Sequence, residues 1–101
     1  MTESNLLDIE LRGPIALLRL NRPSKRNAIN DALIDALGAF FESPPEEVKC
    51  VVLHGEGEHF CAGLDLIELM QKRSGDAVKS TRRSRQWHRV FDLMQHGELP
   101  I

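Results

Sequence analysis

Residues 59–66 read His59-Phe60-Cys61-Ala62-Gly63-Leu64-Asp65-Leu66. They follow an apolar run, Lys49-Cys50-Val51-Val52-Leu53-His54, and a loop, Gly55-Glu56-Gly57-Glu58. The run predicts a strand, and residues 65–71 predict a helix. A strand, a small-residue turn and a helix start together aim free backbone N–H groups at one point. The first helical N–H groups have no partner inside their own helix, and the dipole is positive there. Such a corner suits an anion, or an oxygen that gains negative charge during a reaction. Cys61, Ala62 and Gly63 are small enough to let a ligand approach that backbone.

Working outward, residues 7–12 alternate and predict a strand, Gly13-Pro14 a turn, and residues 15–20 a second strand, which together make a hairpin. Asn30-Asp31 predicts a helix cap, with Leu33, Ile34, Leu37, Phe40 and Phe41 forming the apolar stripe of a helix that runs to about residue 42. Ser43-Pro44-Pro45 stops it. Residues 48–53 predict a buried strand, because Cys-Val-Val-Leu is continuous rather than alternating. Residues 77–95 carry a long helical pattern anchored by Val78, Trp87, Val90, Phe91 and Met94. The order β-β-α-β-α implies an α/β fold.

The chain has 101 residues, enough for one domain at most. A chain this short buries about two-thirds of its unfolded surface, so its stability alone is modest. Hydrophobic residues make up 42% and charged residues 28%, the balance of a globular protein with an ordinary charged surface. A net charge of −2 gives no field for nucleic acid or acidic membranes. No apolar run approaches the ~18 residues of a membrane span. The first residues, Met1-Thr2-Glu3-Ser4-Asn5, lack the basic and apolar segments of a signal peptide, so a cytoplasmic location is expected.

Two cysteines form no CxxC pair. Cys50 reads as a buried thiol and Cys61 as a small site-loop residue rather than a nucleophile, since no base is placed beside it. His54 and His59 match no metal spacing, and no metal is expected.

The order Phe60-Cys61-Ala62-Gly63-Leu64-Asp65-Leu66 after such a strand resembles the crotonase family, also called the enoyl-CoA hydratase/isomerase family. A second block supports it: Ile15-Ala16-Leu17-Leu18-Arg19-Leu20-Asn21-Arg22-Pro23, then Lys25-Arg26-Asn27-Ala28-Ile29-Asn30. It resembles the family's first signature, a strand ending in Asn-Arg-Pro with an Asn-Ala step into the first helix. The resemblance covers nearly the whole chain. It implies the ClpP/crotonase type of α/β fold, a β-β-α spiral core, with residues 1–101 forming the N-terminal part of a single domain. Glu98-Leu99-Pro100-Ile101 resembles the start of the family's next strand. The second oxyanion donor and most acids and bases are expected past Ile101.

By the same resemblance, the function is acyl-CoA thioester processing of the enoyl-CoA hydratase/isomerase type. A hydratase-type lyase of fatty acid metabolism would stabilise a thioester enolate in a backbone oxyanion hole. Coenzyme A would be part of the substrate, with no separate cofactor, and the assembly a homotrimer or a dimer of trimers. The Leu64 N–H would be one arm of the oxyanion hole. Lys25, Arg26 and Ala28 match the segment along the CoA nucleotide. Two adjacent cations before a helix suit phosphates, although a solvated turn has the same composition. Ala62, Gly63, Asp65 and Leu66 would line the pantetheine and acyl channel, and Asp65 also suits the first turn of a helix, where it favours the dipole.

Trp87-His88 matches a step in the branch of the family that dehalogenates aromatic acyl-CoA thioesters, where the His is a base. An imidazole titrates near neutrality and suits that work. The plainer reading of His88 is a half-exposed helix residue beside Arg89. Arg82, Arg85 and Arg89 fall on one helical face without aromatic partners, which suits solvent, a CoA phosphate or a subunit contact better than nucleic acid.

Two rivals belong to other classes. Gly55-Glu56-Gly57 after a strand suggests a dinucleotide module, yet position 60, where its third glycine belongs, is Phe. A catalytically inactive interaction piece is the other. Within the family, dienoyl-CoA isomerase, aromatic acyl-CoA dehalogenase and hydrolase chemistries stay open alongside hydration.

Overall fold

Alternation along residues 15–20 decides where the core lies. Ala16, Leu18 and Leu20 are buried while Ile15, Leu17 and Arg19 are not, so this strand turns one face inward. The computed structural model describes residues 6–65 and 77–101. Strand β1 (Leu7–Arg12) and strand β2 (Ile15–Leu20) form the expected antiparallel hairpin, with Leu7 opposite Leu20 and Arg12 opposite Ile15. Helix α1 (Asp31–Glu42) follows, and strand β3 (Cys50–Gly55) then lies parallel to β2, with Ile15 opposite Cys50 and Leu20 opposite Gly55. The sheet order is β1-β2-β3, and β2-α1-β3 is a parallel crossover unit.

Helix α1 begins as the sequence reading expects. The Asn30 side chain accepts a hydrogen bond from the Leu33 N–H at 2.9 Å, taking up one of the donors that a helix start leaves unpaired. Leu33, Ile34, Leu37, Phe40 and Phe41 pack on Ala16, Leu18, Leu20 and Val51 of the sheet. The apolar surface they remove from water is the main stabilising term of the unit.

Two expectations are corrected. Residues 48–53 do form most of a strand, but not one buried on both faces. Val51 is buried, whereas Val52 is 46% exposed, because α1 covers one face and the face carrying Ile15 and Val52 is open among the described residues. Helix α2 (Ala77–His96) has the expected span, yet two of its five anchors, Val78 and Phe91, are exposed. At about 1.5 Å per residue α2 is roughly 30 Å long against roughly 18 Å for α1. Arg83 of α2 pairs with Asp31, the first residue of α1, and Val78 lies in the part of α2 that precedes this pair.

The docking of α2 on α1 combines close packing with a polar rim. Val90 is fully buried opposite Gly38, where a Cβ would lie 2.9 Å from Val90 Cγ2. Around that contact, Arg83 pairs with Asp31 at 3.1 Å and Asp35 at 3.0 Å. Arg89 pairs with Glu42 at 2.9 Å, and Trp87 Nε1 donates to Asp31 at 2.7 Å. Arg89 therefore serves a helix contact rather than a free basic face. Its hydrogen bond holds the Glu42 carboxyl below the usual carboxylate range. That contact is intact above the carboxyl's ordinary pKa and is lost as pH falls through the lowered value.

Gly38→Leu is expected to destabilise the protein by about 1–3 kcal/mol, because a branched side chain would be forced against the stiff Val90. Urea unfolding of the intact gene product checks this. An unchanged midpoint would mean that the helices separate at no cost.

Candidate functional site

The segment that leaves β2 forms a template for the loop that follows β3. Pro23–Lys25 makes one turn of 3₁₀ helix, and the next two residues, Arg26 and Asn27, take left-handed φ angles of 53° and 59°. Asn is among the few non-glycine residues that adopt this conformation readily. The Asn27 side chain is fully buried. Its Oδ1 accepts from the Arg22 N–H at 2.8 Å, and its Nδ2 donates to the carbonyls of Glu56 at 3.0 Å and His59 at 2.6 Å. One side chain thus fastens the loop after β3 to the segment after β2.

Further along, the two segments run side by side. The Ala62 N–H donates to the Arg26 carbonyl at 3.0 Å, the Ile29 N–H to the Gly63 carbonyl at 2.7 Å, and the Asp65 N–H to the Ile29 carbonyl at 2.8 Å. Ile29 and Leu64 are partners in this isolated parallel bridge. The Gly63 carbonyl and the Leu64 N–H belong to one planar trans peptide group, in which they point in opposite directions. Since that carbonyl is turned toward Ile29, the Leu64 N–H is turned away from it. Among the described residues nothing accepts from this amide, and Leu64 is 50% exposed.

Gly63 sustains this geometry with a φ of 96°, a region that residues with a Cβ rarely occupy. Among the described residues nothing lies within 4 Å of a Cβ there, so Gly63→Val acts on them through backbone strain rather than collision. It is expected to lower turnover by tilting the peptide that carries the Leu64 N–H, as steady-state kinetics would show. Unchanged kcat would mean that the tilt is immaterial.

Lys25 and Arg26 are exposed at the mouth of the turn, and Ala28 is buried. Ala62 and Gly63 are exposed beside Leu64, while Cys61 is partly buried, its Sγ receiving the Gly63 N–H at 3.3 Å. Leu66, and the helix expected over 65–71 beyond Asp65, lie outside the described residues. Within the described residues, the bridge geometry alone turns this amide outward. His88 is exposed on α2, in a shallow depression with Ser84, Arg85, Arg89 and Asp92. That depression contains no residue of the 59–65 loop.

Asp65 is not simply a dipole partner. Its carboxylate accepts from Arg22 Nη2 at 3.0 Å, while Arg22 Nη1 donates to the Ala28 carbonyl at 2.5 Å. The sequence reading missed this pair and the role of Asn27. All three residues stand in the quoted blocks, but Arg22 and Asp65 are 43 positions apart and Asn27 is 29 and 32 positions from Glu56 and His59, where no local pattern announces them. Among the described residues no group of His, Cys, Asp and Glu could hold a metal ion, and no helix is long and apolar enough to cross a membrane.

A family model described as Enoyl-CoA hydratase/isomerase matches residues 10–96. Enoyl-CoA hydratase EchA19 of Mycobacterium tuberculosis is 33% identical over 73 residues, covering 70% of this chain and 27% of that protein. A crystal structure from Rhodopseudomonas palustris, described as a candidate enoyl-CoA hydratase, has a TM-score of 0.85 at 43% identity over 99% of this chain and 38% of that one. A candidate enoyl-CoA hydratase from Thermobifida fusca, solved in complex with acetoacetyl-CoA, has a TM-score of 0.66 at 27% identity over 93% of this chain and 37% of that one. The chain therefore spans 27% to 38% of the length of these proteins. Its α/β arrangement is the crotonase fold as far as the described residues extend. Sequence blocks, fold and relatives agree, and the chain belongs to the enoyl-CoA hydratase/isomerase, or crotonase, family.

Proposed function

We propose that this chain supplies the enolate-stabilising part of an acyl-CoA-processing site, with the Leu64 N–H as one donor of an oxyanion hole. The observation that carries the reading is the orientation of that amide. It is held by the Ile29–Gly63 hydrogen bond, turned away from its own template, and next to exposed small residues. A thioester carbonyl oxygen placed there gains negative charge as the enolate or an addition intermediate forms. A fixed donor then binds the transition state better than the ground state. Coenzyme A enters as part of the substrate, and the exposure of Lys25 and Arg26 supports a role for them as contacts to its phosphates. The acetoacetyl-CoA complex of the Thermobifida fusca relative supports a thioester ligand.

Hydration of an enoyl-CoA is the favoured reaction, because most of the relatives are named or described as hydratases, although a dienoyl-CoA isomerase of Mus musculus is 40% identical over 83% of this chain. Calorimetry of the intact gene product with acetoacetyl-CoA tests the reading. Saturable binding is expected, and no heat at millimolar ligand would overturn it. A homotrimeric assembly is part of the same proposal and is read from light scattering.

A further inference from the structure

Arg22 grips both sides of the junction that presents Leu64. Its two Nη atoms reach the Ala28 carbonyl and the Asp65 carboxylate, which flank the Ile29–Leu64 bridge before one partner and after the other. The two charged side chains are only 10% and 9% exposed. Asp65 is also held through its backbone, whose N–H donates to the Ile29 carbonyl. Shifting the guanidinium would therefore move Ala28 and Asp65 relative to each other, and the 63–64 peptide group lies between the points they fix.

We propose that Arg22 is a positioning residue for the oxyanion donor: its fork between Ala28 and Asp65 sets the direction in which the Leu64 N–H points. A buried ion pair is a poor device for stability alone, because desolvation offsets most of the attraction. It is an effective device for geometry, since the planar guanidinium has donors at fixed angles. Lysine, a single point charge, cannot hold two acceptors in the same fixed relation. The inference rests on the oxyanion reading of Leu64 and adds a residue to it.

The test uses the intact gene product with acetoacetyl-CoA carrying ¹³C at the thioester carbon. Infrared spectroscopy of the bound ligand reads the carbonyl stretch, which falls in frequency when the oxygen accepts a well-aimed hydrogen bond. Crotonyl-CoA hydration gives kcat and KM. Arg22→Lys and Asp65→Ala are expected to lose at least about half of the downshift. Their kcat should fall about tenfold to a hundredfold with KM within about threefold, the pattern of a donor moved by a fraction of an ångström to an ångström. Asp65→Asn keeps an acceptor for Nη2, though not the charge, and should retain more of the downshift than Asp65→Ala; equal losses in the two would overturn the fork.

A role confined to stability would lower the melting temperature and leave the downshift of bound ligand intact. The full wild-type downshift in folded Arg22→Lys or Asp65→Ala overturns the proposal. If one of these variants melts below the assay temperature, the other decides. Absence of any downshift in the wild type would instead remove the oxyanion reading itself. A downshift abolished by Leu64→Pro but untouched by Arg22→Lys would remove only the role of Arg22.

Discussion

Leu64→Pro lowers kcat for enoyl-CoA turnover by about 10²–10³-fold, equivalent to about 2.7–4 kcal/mol of transition-state stabilisation, and Leu64→Ala stays within about threefold of the parent. The contrast follows from where the chemistry sits. The Leu64 side chain is half-exposed, so trimming it to a methyl group removes little packing. Proline removes the N–H and nothing else that the bridge uses, because Leu64 contributes neither of the two bridge hydrogen bonds. Those run from Ile29 to Gly63 and from Asp65 to Ile29. Thermal melts and circular dichroism of both variants in the intact gene product separate loss of a donor from loss of fold. Equal, near-parental rates in two folded variants would mean that the Leu64 amide takes no part in the reaction.

Asn27→Ala is expected to destabilise the protein by about 3 kcal/mol or more. Three backbone groups, the Arg22 N–H and the carbonyls of Glu56 and His59, depend on this side chain. Each buried group left unpaired costs about 1–3 kcal/mol, and alanine also tolerates the φ of 59° less well than asparagine. Asn27→Asp should be worse at neutral pH, although it is nearly the same size. It replaces two donated hydrogens with a carboxylate oxygen facing two carbonyls, in a site with no exposure to water. The aspartate variant should recover part of its deficit as pH falls toward the carboxyl range near 4, since a neutral acid can donate to one carbonyl. Denaturant unfolding across pH measures this. A deficit below about 1 kcal/mol for Asn27→Ala would show that the Glu56–His59 loop is not held by this residue.

The parts of the fold written in short-range pattern were legible in the sequence. The β1–β2 hairpin follows from two short apolar runs around Gly13-Pro14, and α1 from its Asn30 cap and a stripe of regular spacing. The bounds of α2 likewise follow from a repeat that one chain segment contains. What depends on a distant partner was not legible. The apolar run in β3 does not reveal that only one face has a covering helix. Val78 and Phe91 fit the helical pattern as well as Val90 does, and only the gap at Gly38, on a different element, marks Val90 as the buried one. At the site, the residue types of the 61–65 loop pointed to a backbone donor. The device that aims it, Arg22 with Asp65 and Asn27 with the Glu56–His59 loop, is built from contacts between residues far apart in sequence.

The most direct measurement is a crystal structure of the intact gene product with acetoacetyl-CoA bound. The account predicts the thioester oxygen about 2.7–3.1 Å from the Leu64 nitrogen, in line with the N–H and with the Ile29–Gly63 hydrogen bond intact. A thioester oxygen more than about 4 Å from that nitrogen, with the amide satisfied by another carbonyl of the protein, would contradict it.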